Sequence, residues 1–182
     1  MSEQPPSLPP ETKGVSGGRP AEAAPESEGR PSGQSIETRQ RVCIVPCSGI
    51  GKTSGSVTRE AAYVVAGELR PESTEIVPLS LLVLGDEAAQ EAVRRAHVIT
   101  LDGCKLACAS VNVRQAGGAV AREYAVLDFY RQHRDLKPQG IAELNEGGLA
   151  LARALAEEVA GVCDELVVAE VKHTRKSGAC YA

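Results

Sequence analysis

The chain has 182 residues, a formal net charge of −4 and few aromatic side chains, four Tyr and one Phe. No basic face is apparent, which argues against nucleic-acid binding. No apolar run approaches the ~20 residues that a membrane-spanning helix needs, and the start of the chain lacks the features of a signal peptide. The sequence therefore predicts a cytoplasmic protein that binds neither nucleic acid nor membrane.

Residues 1–40 are predicted to be a disordered tail rich in Pro, Gly and Glu. Seven of the 11 prolines fall there, and the apolar residues Leu8, Val15 and Ile36 are isolated. Such a segment buries too little apolar surface to offset its chain entropy. The alternative is a segment that becomes ordered on a partner. A single domain is expected over residues 41–171, followed by a flexible C-terminal tail at 172–182.

Apolar patterns in the folded part predict alternating strands and helices. Short β-branched runs predict strands at residues 41–46, 74–79 and 97–101. Helical spacing predicts helices at residues 56–69, 86–95, 147–162 and from just after Gly103 to Gln115. Asp86 is the expected N-cap of the second of these. A fourth strand within 120–129 is one interpretation, and residues 165–171 fit either a strand or more helix.

This order of elements predicts a three-layer α-β-α domain, Rossmann-like or flavodoxin-like, with a mostly parallel sheet. Ligand sites in such sheets lie beyond the carboxyl ends of the strands, where the strand order reverses. If the order begins 2-1-3, the ends of the first and third strands are neighbours. Cys47 and Cys104 follow those two ends, so this topology would bring them together.

Six cysteines stand at positions 43, 47, 104, 108, 163 and 180. Because thiols stay reduced in the cytosol, clustered cysteines suggest metal binding or catalysis. On a helix, Cys104 and Cys108 would share one face, ~5–6 Å apart at Cβ. Together with Cys47 they are the candidate metal ligands. The alternative is that they are small residues that only pack in the core.

The other cysteines and the histidines are weaker candidates. Cys43 would lie ~13 Å along the strand from Cys47 and is predicted to be a core residue, as is Cys163. Cys180 either reaches the site as a fourth ligand or is exposed in the tail. The three histidines fall at a strand start, in a polar loop and in the tail, at positions 97, 133 and 173.

A glycine-rich turn follows the first strand. Gly49-Ile50-Gly51-Lys52-Thr53 is similar to a phosphate-binding loop, but Pro46 stands where that motif requires its first glycine, which argues against nucleotide hydrolysis. A turn that leads into a helix N-terminus concentrates N–H groups and positive potential. We expect it to favour the thiolate of Cys47, with Lys52 and Arg59 adding to the effect.

Several short motifs occur in a characteristic order. They are Val45-Pro46-Cys47-Ser48-Gly49 with Gly51-Lys52, Thr58-Arg59-Glu60-Ala61-Ala62-Tyr63, Gly85-Asp86, Asp102-Gly103-Cys104 with Cys108-Ala109, and Gly117-Gly118. Over residues 42–160 the chain thereby resembles the DGC-domain family. Members of that family are regarded as zinc-binding because of four cysteines, and their biochemical role is not established.

The resemblance implies a thiolate metal site with one ligand missing. Cys47, Cys104 and Cys108 match three of the family's cysteines. The fourth falls in or just after the second strand, where this chain has Leu79-Ser80-Leu81-Leu82. Three thiolates would leave a position open for water, a substrate, a tail ligand or a residue of a protein partner.

The sequence is compatible with three functions. The first is a metal-binding module with Zn²⁺, or alternatively Cu(I) or an iron–sulfur cluster, in which Asp102 supports the ligands or caps a helix. The second is a thiol redox or sulfur-carrier protein in which Cys104 or Cys108 resolves a Cys47 nucleophile, although no histidine is placed as a base. The third is a binding module whose cysteines only pack. The sequence identifies no catalytic residue and leaves open whether the protein is an enzyme.

Overall fold

The structure is a computed structural model that describes residues 41–49 and 51–177, with side chains up to residue 168. The predicted N-terminal tail and the last five residues, which include Cys180, lie outside the described residues.

Four parallel strands form one sheet in the order β2-β1-β3-β4. The strands are β1 (Val42–Pro46), β2 (Thr74–Ile76), β3 (Val98–Asp102) and β4 (Val120–Ala125). The central strands β1 and β3 are buried along their whole length, as expected for apolar strands covered on both faces. The predicted α/β class and the 2-1-3 order are confirmed.

Helices cover both faces of the sheet, which confirms the three-layer architecture. They are α1 (Thr53–Val64, continued by a π-helical turn at Val65–Leu69), α2 (Leu79–Leu84), α3 (Glu87–Arg95), α4 (Cys108–Gln115), α5 (Val126–Gln132) and α6 (Glu146–Ser177). Successive side chains of a strand point to opposite faces. Accordingly, Ile44 packs with the core under α1, α5 and α6, whereas Cys43 and Val45 pack with the core under α2, α3 and α4.

The second strand is shorter than predicted, and a helix replaces its end. β2 stops at Ile76, although the N–H of Val77 still donates to the carbonyl of Ile44 at 3.0 Å. Pro78 has no N–H to continue the ladder and instead precedes α2. Leu79 and Leu82, three residues apart, are the buried side chains of that helix. A short leucine-rich run is compatible with either structure, so only the packing decided between them.

Two ambiguous regions of the sequence are resolved by the structure. Residues 120–129 contain both an edge strand and the start of a helix, because β4 passes directly into α5 at Val126. Residues 165–171 are helical, and α6 continues to Ser177, beyond the predicted domain boundary at 171. The predicted cap of α3 is confirmed, since the Asp86 carboxylate accepts a hydrogen bond from the Ala89 N–H at 2.8 Å. In the described part of the chain, no helix is long and apolar enough to span a membrane.

Candidate functional site

Three thiols lie at the carboxyl ends of the two central strands, and we call Cys47, Cys104 and Cys108 the thiol edge. Pro46, the last residue of β1, is the register partner of Leu101, the residue before the end of β3. The ladder continues one step, because the Cys47 N–H donates to the Leu101 carbonyl at 2.8 Å. Cys104 follows β3 by two residues, and Cys108 begins α4. The thiol edge therefore occupies the point where the strand order reverses.

The prediction that Cys104 and Cys108 share one face of a helix is wrong. The helix begins at Cys108, and Cys104 lies in the preceding turn. That turn is closed by a hydrogen bond from the Ala107 N–H to the Cys104 carbonyl at 3.1 Å, and Ala107 has a left-handed φ of 49°. The two thiols are therefore related by a loop whose shape depends on tertiary contacts.

The side chain of Asp102, at the end of β3, caps the first turn of α4, although the N-cap position itself is Ala107. Asp102 is only 4% exposed. One carboxylate oxygen accepts from the Ala109 N–H at 2.8 Å, and the other accepts from the N–H and hydroxyl of Ser110 at 3.1 and 2.6 Å. Thr100 shares a further hydroxyl contact of 2.7 Å with Ser110. Because both oxygens are engaged by the first turn of α4, the capping role is the one that the contacts show.

Three glycines bring the chain segments of the thiol edge into backbone contact. Gly49, with φ +70°, lies so close to α1 that a Cβ there would meet the Gly55 carbonyl carbon at 2.5 Å. On the other side, a Cβ on Gly103 would meet the Gly55 nitrogen at 2.9 Å. Any side chain at these positions would separate the loops that carry Cys47 and Cys104. Nothing local in the sequence indicated Gly55, because its partner Gly103 is distant along the chain.

Side chains of α1 anchor the loop that carries Cys47. The Arg59 guanidinium donates to the Ser48 carbonyl and, at 3.3 Å, to the Ser56 hydroxyl. The Thr58 hydroxyl lies 3.2 Å from the Cys47 carbonyl and 2.6 Å from the Gly55 carbonyl. Arg59 thus positions the loop, a function that the sequence did not suggest. The expected stabilisation of the Cys47 thiolate by Arg59 and Lys52 stays a prediction.

The thiols of the edge interact electrostatically. Burial, followed by the charges of Cys47, Cys104 and Asp102, raises the pKa of the Cys108 thiol. A second negative charge at this edge is therefore disfavoured at Cys108. A bound cation would remove that penalty, since thiolate–metal bonds stabilise the deprotonated form.

The other two described cysteines belong to the core, as predicted. The Cys43 thiol is buried and donates to a Glu75 carboxylate oxygen at 3.1 Å. Burial and this carboxylate raise its pKa. Cys163 is fully buried, and mainly for that reason its pKa rises to about 11. Neither thiol is set up to form an anion.

The described side chains form no preorganised metal shell. In residues 41–49 and 51–168, no group of three or more His, Cys, Asp or Glu is arranged to hold a metal ion. His133 lies against Phe129, with ring centroids 4.6 Å apart, which places it outside the thiol edge. The donors at that edge have the right chemistry for Zn²⁺ or a softer cation.

A family comparison covers this whole region. A model of the DGC domain matches residues 43–147, well over half of the chain. The chain belongs to the DGC-domain family. Comparison with curated proteins finds no match, and comparison with solved structures finds none either.

The DGC match extends from β1 to the start of α6 and includes the whole thiol edge. Cys163 and Cys180 lie outside it. The ion pair between Arg70 and Asp164 places the middle of α6 near the start of β2, at the amino ends of the strands. The helix continues from there for ~20 Å to Ser177, at 1.5 Å per residue. The described part of α6 therefore leads away from the thiol edge, and Cys180 lies outside the described residues.

Proposed function

We propose that this DGC domain binds a metal ion, Zn²⁺ by default, through the thiolates of Cys47, Cys104 and Cys108. The observation that supports this most is that three thiols lie at two neighbouring strand ends. A cation suits such a site because thiolates are good ligands for Zn²⁺, Cu(I) and iron–sulfur clusters. A reducing compartment such as the cytosol would keep the three thiols available.

The fourth ligand would come from outside the folded domain. The family's fourth cysteine position falls in α2, where Leu79 and Leu82 are buried in the core and offer no donor. Cys163 lies on α6 itself and is buried in the core. A three-thiolate site would therefore keep one position for water, a small thiol or a residue of a partner protein, as open zinc sites do. Asp102 would hold the loop of Cys104 and Cys108 through its bonds to α4.

Metal analysis of the full chain tests the proposal. Protein purified without an affinity metal column should carry about one metal ion per chain. Cys47→Ser, Cys104→Ser and Cys108→Ser should each weaken binding by at least tenfold in competition with a chromophoric chelator, because each removes a thiolate. Cys163→Ala is the matched control and should keep the wild-type metal content. Visible absorption would distinguish an iron–sulfur cluster from Zn²⁺.

Thiol redox chemistry is the competing function. Thiol labelling of the same protein after metal removal distinguishes it from metal binding. After chelation, Ellman's reagent in a Cys180→Ser background should label Cys47, Cys104 and Cys108 and leave Cys43 and Cys163 unreacted until unfolding. A chain that contains no metal, takes up none and forms a Cys47–Cys104 disulfide at mild potentials would contradict the metal proposal. If all three serine variants were as stable as the wild type and neither they nor the wild type bound metal, the thiols would only be packing residues.

A further inference from the structure

A cavity that the proposed metal site does not use lies against the first turn of α1. Its volume is about 320 Å³. Val57, Val126 and Leu151 form a buried floor, and the remaining lining is Lys52, Thr53, Ser54, Leu127, Tyr130 and Pro138. These residues come from the starts of α1, α5 and α6 and from the loop before α6. The exposed surface inside the cavity is almost wholly apolar.

The cavity lies at the end of the sheet where parallel α/β domains bind their ligands. α1 follows β1, and α5 follows β4, so the first turns of both helices lie beyond the carboxyl ends of the strands. Ser54 links the cavity to the thiol edge. It lines the cavity, and its carbonyl carbon would lie 3.1 Å from a Cβ on Gly103. The loop that carries Cys104 thus packs against a residue of the cavity wall.

Charge and size limit what the cavity can accept. Among the described residues that line the cavity, Lys52 is the one ionisable cation and none is a carboxylate. The Lys52 ammonium forms none of the ion pairs found in that part of the chain. An apolar floor with a cation at the margin suits an apolar body that carries one negative charge. The volume equals that of roughly ten water molecules in the liquid. That space suits an organic molecule of about a dozen non-hydrogen atoms.

We propose that this cavity is a binding site for a small organic anion, an aryl or branched alkyl carboxylate. Its apolar part would pack on the accessible side chains of Leu127, Tyr130 and Pro138, above the buried floor, while Lys52 pairs with its carboxylate. A second cavity against α1, of about 340 Å³, is more polar and carries charges of both signs from Arg59, Glu60 and Glu143. It offers an apolar anion a poorer environment and gives the experiment an internal comparison.

Titration of the full chain with 3-phenylpropionate tests the proposal. Binding would be followed by calorimetry and by the backbone amide shifts of α1 and α5. The neutral 3-phenylpropanamide and the cationic 3-phenylpropylamine are the matched probes. Leu127→Trp should fill the cavity from its partly exposed wall and abolish binding. Lys52→Glu should weaken 3-phenylpropionate binding roughly three- to tenfold. Lys105→Glu, an exposed lysine outside the cavity, should leave it unchanged.

The expected result is saturable binding of the anion, weaker binding of the two comparison probes and loss in Leu127→Trp. Cys47→Ser should bind the anion like the wild type, so failure of the metal site would leave this result intact. Absence of saturable binding, or binding that survives Leu127→Trp and shifts the amide of Tyr63 in the second cavity, would overturn the proposal. Equal affinity for the anion and the neutral amide would overturn its charge requirement.

Discussion

At the scale of single residues, the thiol edge depends on one buried carboxylate. Asp102 accepts three hydrogen bonds from the first turn of α4, so it fixes where the helix starts and where the turn with Cys104 ends. The motif Asp102-Gly103-Cys104 thus has a structural logic: the carboxylate caps the helix, the glycine permits close approach, and the cysteine follows.

Asp102→Asn should destabilise the domain by about 1–3 kcal/mol, because an amide nitrogen would then face an N–H donor and the charged cap would be lost. Urea unfolding followed by circular dichroism measures this. Asp135→Asn is the control, since Asp135 is exposed and its substitution should change stability by less than about 0.5 kcal/mol. Equal midpoints for the two variants would contradict the capping role.

At the scale of elements, close backbone contact joins α1 to the loop after β3. Gly55, in the first turn of α1, lies in backbone contact with Gly49 and with Gly103. This contact fixes the distance between the segments with Cys47 and Cys104, whereas the strand register fixes only their order. At the other end of the same helical layer, the Arg70 guanidinium donates two hydrogen bonds to the Asp164 carboxylate of α6, at 2.6 and 2.5 Å.

Two glycine-to-alanine changes of opposite sign test the importance of this contact. Gly103→Ala should cost about 1–3 kcal/mol, because the new Cβ would meet the backbone of Gly55 and Ser54 at 2.9–3.1 Å. Gly161→Ala, inside α6 and with open space around it, should stabilise the chain by about 0.5–1 kcal/mol. Chemical denaturation of both variants provides the comparison. A Gly103→Ala variant as stable as Gly161→Ala would show that the loop is loosely packed.

At the scale of the whole molecule, the core of the described residues extends from β1 to the middle of α6. β1 begins at Val42, and the stripe of Leu151, Leu155, Val159 and Cys163 on α6 covers one face of the sheet. Every buried hydrophobic side chain in the described part lies between Val42 and Cys163. The composition of residues 1–40, with seven of the 11 prolines and isolated apolar residues, predicts that this segment contributes little to the stability of the domain.

Deletion of residues 1–40 should shift the melting temperature by less than about 2 °C, since a domain of this size loses several degrees only when core contacts are removed. Differential scanning calorimetry of the truncated and full chains measures the shift. Leu155→Ala gives the scale of a real core defect, with an expected loss of about 2–5 kcal/mol. A truncated chain as destabilised as Leu155→Ala would show that the tail packs on the domain.

The sequence by itself determined the two central strands and the general place of the candidate site. The apolar runs of β1 and β3 are long enough and β-branched enough to be recognised, and parallel topology then puts Cys47 and Cys104 at one edge. Asp86 was recognisable as a cap because its partner, Ala89, is three residues away. Such features depend on periodicity and short-range contacts, which a linear sequence contains.

Only the tertiary structure decided the details that depend on distant contacts. The helix after Gly103 begins at Cys108 because Asp102 caps it there, and α2 replaces a strand end because Leu79 and Leu82 find a core to pack on. Gly55 and Gly103 are in contact but lie far apart along the chain, so no local pattern in the sequence predicts that contact. The physical reason is common to all three: local propensity leaves several conformations close in energy, and packing and burial select among them.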